Sequence, residues 1–154
     1  MNVEVTAFGG WPNCLKLANA AAELIITTDV GPRIISYRTT GGENVLKVFA
    51  EQAGGSGEKE WLVRGGHRLW VAPEDERTYD PDNARIKYEL LGPAAVKVVN
   101  AAVAPWWVEK EMTVSLAPGS AGVTIEHRVT NRGQRRPPVR PLPGARCRLP
   151  PAGS

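Results

Sequence analysis

Apolar and polar positions alternate with a period of two through most of the first 133 residues, which predicts strands. Ala22–Thr28 (AELIITT) and Arg33–Arg38 (RIISYR) are β-branched runs separated by Asp29-Val30-Gly31-Pro32. The Gly-Pro pair marks a turn, so the two runs form a hairpin. Asn44–Phe49 (NVLKVF) follows the Gly41-Gly42 turn and alternates Val45, Lys47 and Phe49 against Leu46 and Val48, predicting a further strand. Arg85–Leu91 and Val96–Val103 add two more. The pattern is most regular in Val108–Leu116, which sets Val108, Met112, Val114 and Leu116 against Glu109, Glu111, Thr113 and Ser115. Ala117-Pro118-Gly119-Ser120 then turns the chain into Val123–Thr130, with Val123, Ile125, His127 and Val129 inward and Thr124, Glu126, Arg128 and Thr130 outward. This pair is an antiparallel hairpin with one wet face. No segment carries a capped 3.6-residue stripe, and the Ala-rich stretch Cys14–Leu24 fits a turn between strands. The fold class expected is all-β, an antiparallel β-sandwich.

The alternation stops between Ala50 and Asn83. A Gly-rich stretch, AGGSGEKE, leads into WLVRGGHRLW and then into the polar run PEDERTYDPDN. So long a loop in a compact β domain is either functional or disordered. Its Trp, His, Arg and Tyr residues favour function, because such groups recognise ligands.

Charge divides the chain in two. The net charge is +3, yet residues 1–133 hold 14 of the 19 basic residues and all 16 acidic ones, a balance of −2. Residues 134–154 hold five Arg, no acid and six of the 13 prolines. A Pro/Arg-rich tail of this kind cannot bury enough apolar surface to offset ordering, so a disordered segment is expected there. Its five Arg lack aromatic interleaving and any nucleic-acid-binding motif, which makes a nucleic-acid partner the weakest reading. No stretch approaches ~18 apolar residues, so a transmembrane helix is excluded, and the N-terminal MNVEVTAFGG lacks the basic and apolar regions of a signal peptide. No membrane partner and a cytoplasmic location are the expectation. Two cysteines, Cys14 and Cys147, give no disulfide framework, and with His67 and His127 they offer no closed metal site. No cofactor is implied.

The segments TTDVGPRIISY, GGENVLK, RGGHRLWVAPED, KEMTVSLAPG and IEHRVTNRG resemble the galactose mutarotase-like (aldose 1-epimerase) superfamily across residues 11–133, in particular a branch with a GGHRLW-type loop. The resemblance implies a partial β-supersandwich of about half the superfamily's chain length, with residues 1–133 as its N-terminal half. In relatives the segment after the TN motif continues as apolar strand, so a frameshift or mis-called gene end accounts for residues 134–154. The other reading is a natural basic tail that contacts something acidic. Half a supersandwich leaves sheet edges and an apolar face uncovered, so self-association is expected.

The function implied is carbohydrate binding with anomeric interconversion of a sugar or sugar phosphate by acid/base catalysis, impaired here. The alternative is a non-catalytic sugar-binding β-sandwich. Epimerisation requires a base for the O1 proton and an acid for the ring oxygen. In the superfamily a His follows the Asn of the TN motif and a carboxylate lies late in the chain. Here Asn131 matches that Asn as a substrate-binding candidate, but Arg132 stands where the His belongs. His67 is then the catalytic candidate, the structural alternative being a His that pins its loop. Arg64, with Gly65 and Gly66, resembles a sugar-approaching Arg-Gly-Gly loop, and an Arg there can pair with a phosphate or carboxylate on the substrate. Trp70, Glu74 and Tyr79, in the same loop, complete the candidate sugar contacts. The acidic run from Glu74 to Asp82 lacks the spacing of a calcium loop and is read as a solvated loop. His127 is read as a core or rim histidine, Trp106 as core and Trp107 as outward-facing.

Overall fold

A computed structural model describes residues 2–133, apart from the Arg77 side chain, and the backbone of 147–148. The strands are β1 (Val3–Phe8), β2 (Trp11–Ala18), β3 (Ala22–Thr27), β4 (Arg33–Thr39), β5 (His67–Arg68), β6 (Lys87–Gly92), β7 (Ala95–Asn100), β8 (Val108–Leu116), β9 (Val123–Asn131) and β10 (Cys147–Arg148). They form two antiparallel sheets, ordered β1-β2-β3-β4-β5 and β10-β9-β8-β7-β6, so the molecule is an all-β sandwich. The expected tail lies outside the described residues except for β10, which pairs Cys147 with Ile125 and Arg148 with Thr124 on β9. Among the described residues no helix is long and apolar enough to cross a membrane.

The sheets meet through Leu15, Leu17, Leu24, Ile26, Ile34 and Tyr37 on one side and Val96, Val98, Met112, Val114, Val123 and Ile125 on the other. A second cluster, Trp11, Cys14, Ile25, Val30 and Ile35, fills the opposite face of the first sheet. That sheet is therefore buried on both faces, which is why β3 and β4 read as nearly continuous apolar runs. A bulge lets β4 serve both faces: Ile26 pairs with Ile34 but Ile25 pairs with Ser36. The extra residue, Ile35, joins the second cluster, and Ile34 and Tyr37 both reach the first although they are three positions apart. Burial of Cys14 in the second cluster pushes its thiol up to about 11, which keeps it unreactive at neutral pH. The β8–β9 hairpin agrees with the expectation, with Met112, Val114, Val123 and Ile125 buried and Glu126 exposed.

Three expectations change. Asn44–Phe49 is not a strand, because the Asn44 side chain takes over the work of a ladder. Its Oδ1 accepts the N–H groups of Tyr37 and Leu46, each at 3.0 Å, and its Nδ2 donates to the Ile35 carbonyl. Only Val48 makes a bridge, to Gly65. The stretch beginning at Cys14 is largely strand rather than turn, since β2 runs to Ala18 and pairs with both β1 and β3. Trp106 precedes β8 and is half-buried rather than core, while Trp107 faces outward as expected.

The two sheets are also joined at the turns. Asn19 Nδ2 donates to the carbonyls of Ala117 and Ser120, and the Tyr37 hydroxyl donates to Ala121. β1 and β6 are sheet edges, and Val5, Tyr88 and Leu90 stand exposed on them.

Candidate functional site

The site is built around β5, a strand of two residues that exists because two glycines bring it close to its neighbours. Gly65 and Gly66 have φ of +94° and +77°. A Cβ on Gly65 would sit 2.0 Å from the Lys47 carbonyl oxygen, and one on Gly66 would sit 2.4 Å from that of Ile34. Their lack of side chains thus serves chain-to-chain packing, where the sequence suggested approach to a ligand. Gly66 N–H donates to the Lys47 carbonyl, and β5 then pairs Ile34 with His67 and Arg33 with Arg68.

This register points His67 across the sandwich. Its Nε2 lies 2.9 Å from Nε2 of His127, with the rings tilted by 52°. His127 comes from β9, opposite Met112 of β8, so the contact spans the two sheets. One ring must donate its N–H and the other accept with its lone pair, because a single proton occupies the gap. Burial, and then the neighbouring His127, hold His67 below the usual histidine range. Both rings protonated is thus the disfavoured state.

Three aromatic rings of the same long loop cluster together. Trp61, Trp70 and Tyr79 meet edge to face, with centroids 5.7, 5.3 and 5.3 Å apart. The Tyr79 hydroxyl donates to Glu74, and both side chains are exposed. Arg68 lies over Trp70 and Trp61 at 4.6 and 5.3 Å from the ring centroids. Trp70, Tyr79 and Glu74 are therefore gathered with Trp61 in one patch.

Arg64 is placed differently. It is fully buried, with φ +54°, and its guanidinium is already engaged: Nη1 donates to the Gln52 carbonyl at 2.6 Å, and Nη2 to Glu58 at 2.6 Å and to Asn83 Oδ1 at 3.1 Å. Asn83 in turn donates to the carbonyls of Glu58 and Glu60. Arg64 ties the long loop together. Asn131 sits at the far end of β9, opposite Val108, and its Oδ1 accepts the Gly133 N–H. Arg132 pairs with Glu109 at 2.9 Å on the exposed side.

The acidic run is only partly a solvated loop. Glu74 and Glu76 are exposed, but Asp80, Asp82 and Asn83 are buried. Asp82 lies 3.0 Å from Arg68 Nη2 and 3.5 Å from Arg33 Nη2, and Asp80 lies 3.2 Å from Lys110 Nζ. These ion pairs link β4 and β5 of one sheet to β8 of the other. Burial pushes Arg33 down to about 10 and Asp82 up from its ordinary value, in each case against the pull of the opposite charge. Lys110 was legible by parity alone, since it falls between Val108 and Met112 on the inward face. Asp82 was not, because nothing in PEDERTYDPDN separates its buried acids from its exposed ones. Among the described residues no group of three or more His, Cys, Asp or Glu is arranged to hold a metal ion.

Comparison with known proteins returns no match among family models, curated proteins or solved structures.

Proposed function

We propose that this chain is a carbohydrate-binding protein of the aldose 1-epimerase type, in line with its sequence resemblance to the galactose mutarotase-like superfamily. The observation that carries the reading is the His67–His127 pair, 2.9 Å between Nε2 atoms, together with the Trp61–Trp70–Tyr79 cluster that the loop holding His67 also supplies. Aromatic faces stack on the C–H side of a sugar ring, and the Glu74 carboxylate accepts hydroxyl hydrogen bonds. Anomeric interconversion needs a lone pair to take the O1 proton and an N–H to protonate the ring oxygen, so that the C1–O5 bond opens, the aldehyde turns about C1–C2, and the ring recloses. When a sugar parts the two rings and breaks their hydrogen bond, the pair supplies one of each, and reclosure returns both protons.

Non-catalytic sugar binding is the second reading. It is favoured by the direct contact of the two rings and by Arg132, which occupies the position of the expected acid and is paired with Glu109 on the outside.

Sugar binding itself is tested by following the indole N–H resonances during titration with D-glucose and D-galactose. Saturable shifts of Trp61 and Trp70, lost in Trp70→Ala, are expected. Indole signals that stay fixed up to molar sugar would contradict both readings.

A further inference from the structure

The charged cluster beside the aromatic surface is rich in donors and poor in acceptors. Among the described residues, three cations, Arg33, Arg68 and Lys110, face two carboxylates, Asp80 and Asp82, a surplus of one positive charge in a buried site. Arg33 and Lys110 are almost wholly inaccessible, at 0% and 2%. Nε and Nη2 of Arg33, all three nitrogens of Arg68, Nζ of Lys110 and Nε1 of Trp61 are buried without a well-formed hydrogen bond to the protein, against one acceptor oxygen, Oδ1 of Asp82. A buried unpaired donor is costly, and a buried unbalanced cation more so. Arg68 is the least covered of the three cations, with 13% of its side chain accessible, and its guanidinium carbon lies 4.6 Å from the centroid of the Trp70 ring. Its guanidinium nitrogens are themselves covered, so the cluster lies directly beneath the surface that gathers Trp70 and Tyr79.

We propose that Arg68, backed by Lys110 and Arg33, forms an oxyanion-binding site, and that the ligand it selects is a sugar bearing a phosphate or carboxylate group. The naming of a sugar rests on the function proposed above; the anion site rests on the cluster alone. An oxyanion fits because it supplies the acceptor oxygens and the single negative charge that the cluster lacks, and a planar guanidinium can hold it through two parallel N–H bonds. The cations feel one another already, since Arg68 and Arg64 each lower Arg33, an effect that a bound anion would reverse.

The test uses the full chain and measures thermal midpoint and tryptophan fluorescence during titration with inorganic phosphate, glucose 6-phosphate, glucuronate and glucose, against sodium chloride at equal ionic strength. Phosphate is expected to raise the midpoint and change the fluorescence saturably where chloride does not, and Arg68→Gln to weaken phosphate binding at least tenfold. Where Arg68→Gln does not fold, Arg68→Lys serves, keeping the charge and losing the two-pronged geometry; at least a tenfold loss is expected there also. Glucose 6-phosphate or glucuronate binding more tightly than inorganic phosphate supports the anionic sugar, and the stronger of the two identifies its anionic group. If phosphate binds in an Arg68-dependent way but the sugar adds nothing, the anion site stands and the sugar reading fails. No phosphate effect beyond chloride, or undiminished binding by the folded Arg68 variant, overturns the site even if neutral glucose binds.

Discussion

His67 of β5 and His127 of β9 meet Nε2 to Nε2 at 2.9 Å, so the two sheets are joined by a polar contact that only a single proton can occupy. A structural role and a chemical one are combined in that contact. Adding a second proton removes the hydrogen bond and replaces it with repulsion.

Stability should therefore fall on acidification. His67 is held below its ordinary value of 6.5 in the folded chain, chiefly by burial, so the unfolded chain binds more protons as the pH drops. The contribution of this group is fully present above 6.5 and is lost as pH falls through the lower folded-state value. Thermal midpoints at pH 7.5 and pH 5 should differ more for the wild type than for His67→Gln. Equal pH dependence in the two would show that the pair does not govern acid stability.

Gly66→Ala tests why β5 exists. The new methyl would need a left-handed backbone, costing about 1–2 kcal/mol, and would overlap the Ile34 carbonyl oxygen at 2.4 Å. A total loss of about 2–4 kcal/mol is expected once overpacking is included. Gly41→Ala, at φ +76° with nothing within 4 Å, carries the backbone cost alone and should lose only about 1–2 kcal/mol. Denaturant midpoints of the two variants give the comparison.

Arg64 should behave as a strut. Truncation to Ala strands Glu58 and Asn83 and unties Gln52, and breaking a buried pair costs about 3–5 kcal/mol. Because Glu58 is 32% exposed, about 3 kcal/mol is the better figure here. In the fraction that remains folded, the affinity for sugar should be unchanged, measured by the indole titration at low temperature. A variant of normal stability with lost affinity would return Arg64 to the ligand-contacting role that its sequence context suggested.

The sandwich was legible where one face is wet and the other dry. Val108–Leu116 and Val123–Thr130 alternate because Glu109, Glu111 and Glu126 have water to face, and β3 and β4 show as β-branched runs because both their faces are covered. The β2 strand was hidden by the alanines after it and by Pro12 and Asn13, which are tolerated because they fall in the register shift against β1 and precede the pairing with β3, which begins at Leu15. Asn44–Phe49 has the right alternation and the wrong partner, a side-chain amide instead of a neighbouring strand. At the site, the loop that gathers His67, Trp70, Glu74 and Tyr79 announced itself by composition. What composition could not reveal was pairing: that His67 would meet His127, that Arg64 would be spent on Glu58, and that Arg68, not Arg64, would stand over the tryptophans. Such facts depend on which segments the sheets bring together over 60 residues of separation, as for the two histidines.

The measurement that bears most directly on the central proposal is polarimetry of freshly dissolved α-D-glucose, α-D-galactose and glucose 6-phosphate with the full chain and with His67→Gln and His127→Gln. An aldose 1-epimerase built on the histidine pair accelerates the approach to anomeric equilibrium in proportion to protein concentration, and each single variant removes most of the acceleration, on the order of a hundredfold or more for loss of a general acid or base. Equal rates with wild type, with both variants and with buffer would contradict it.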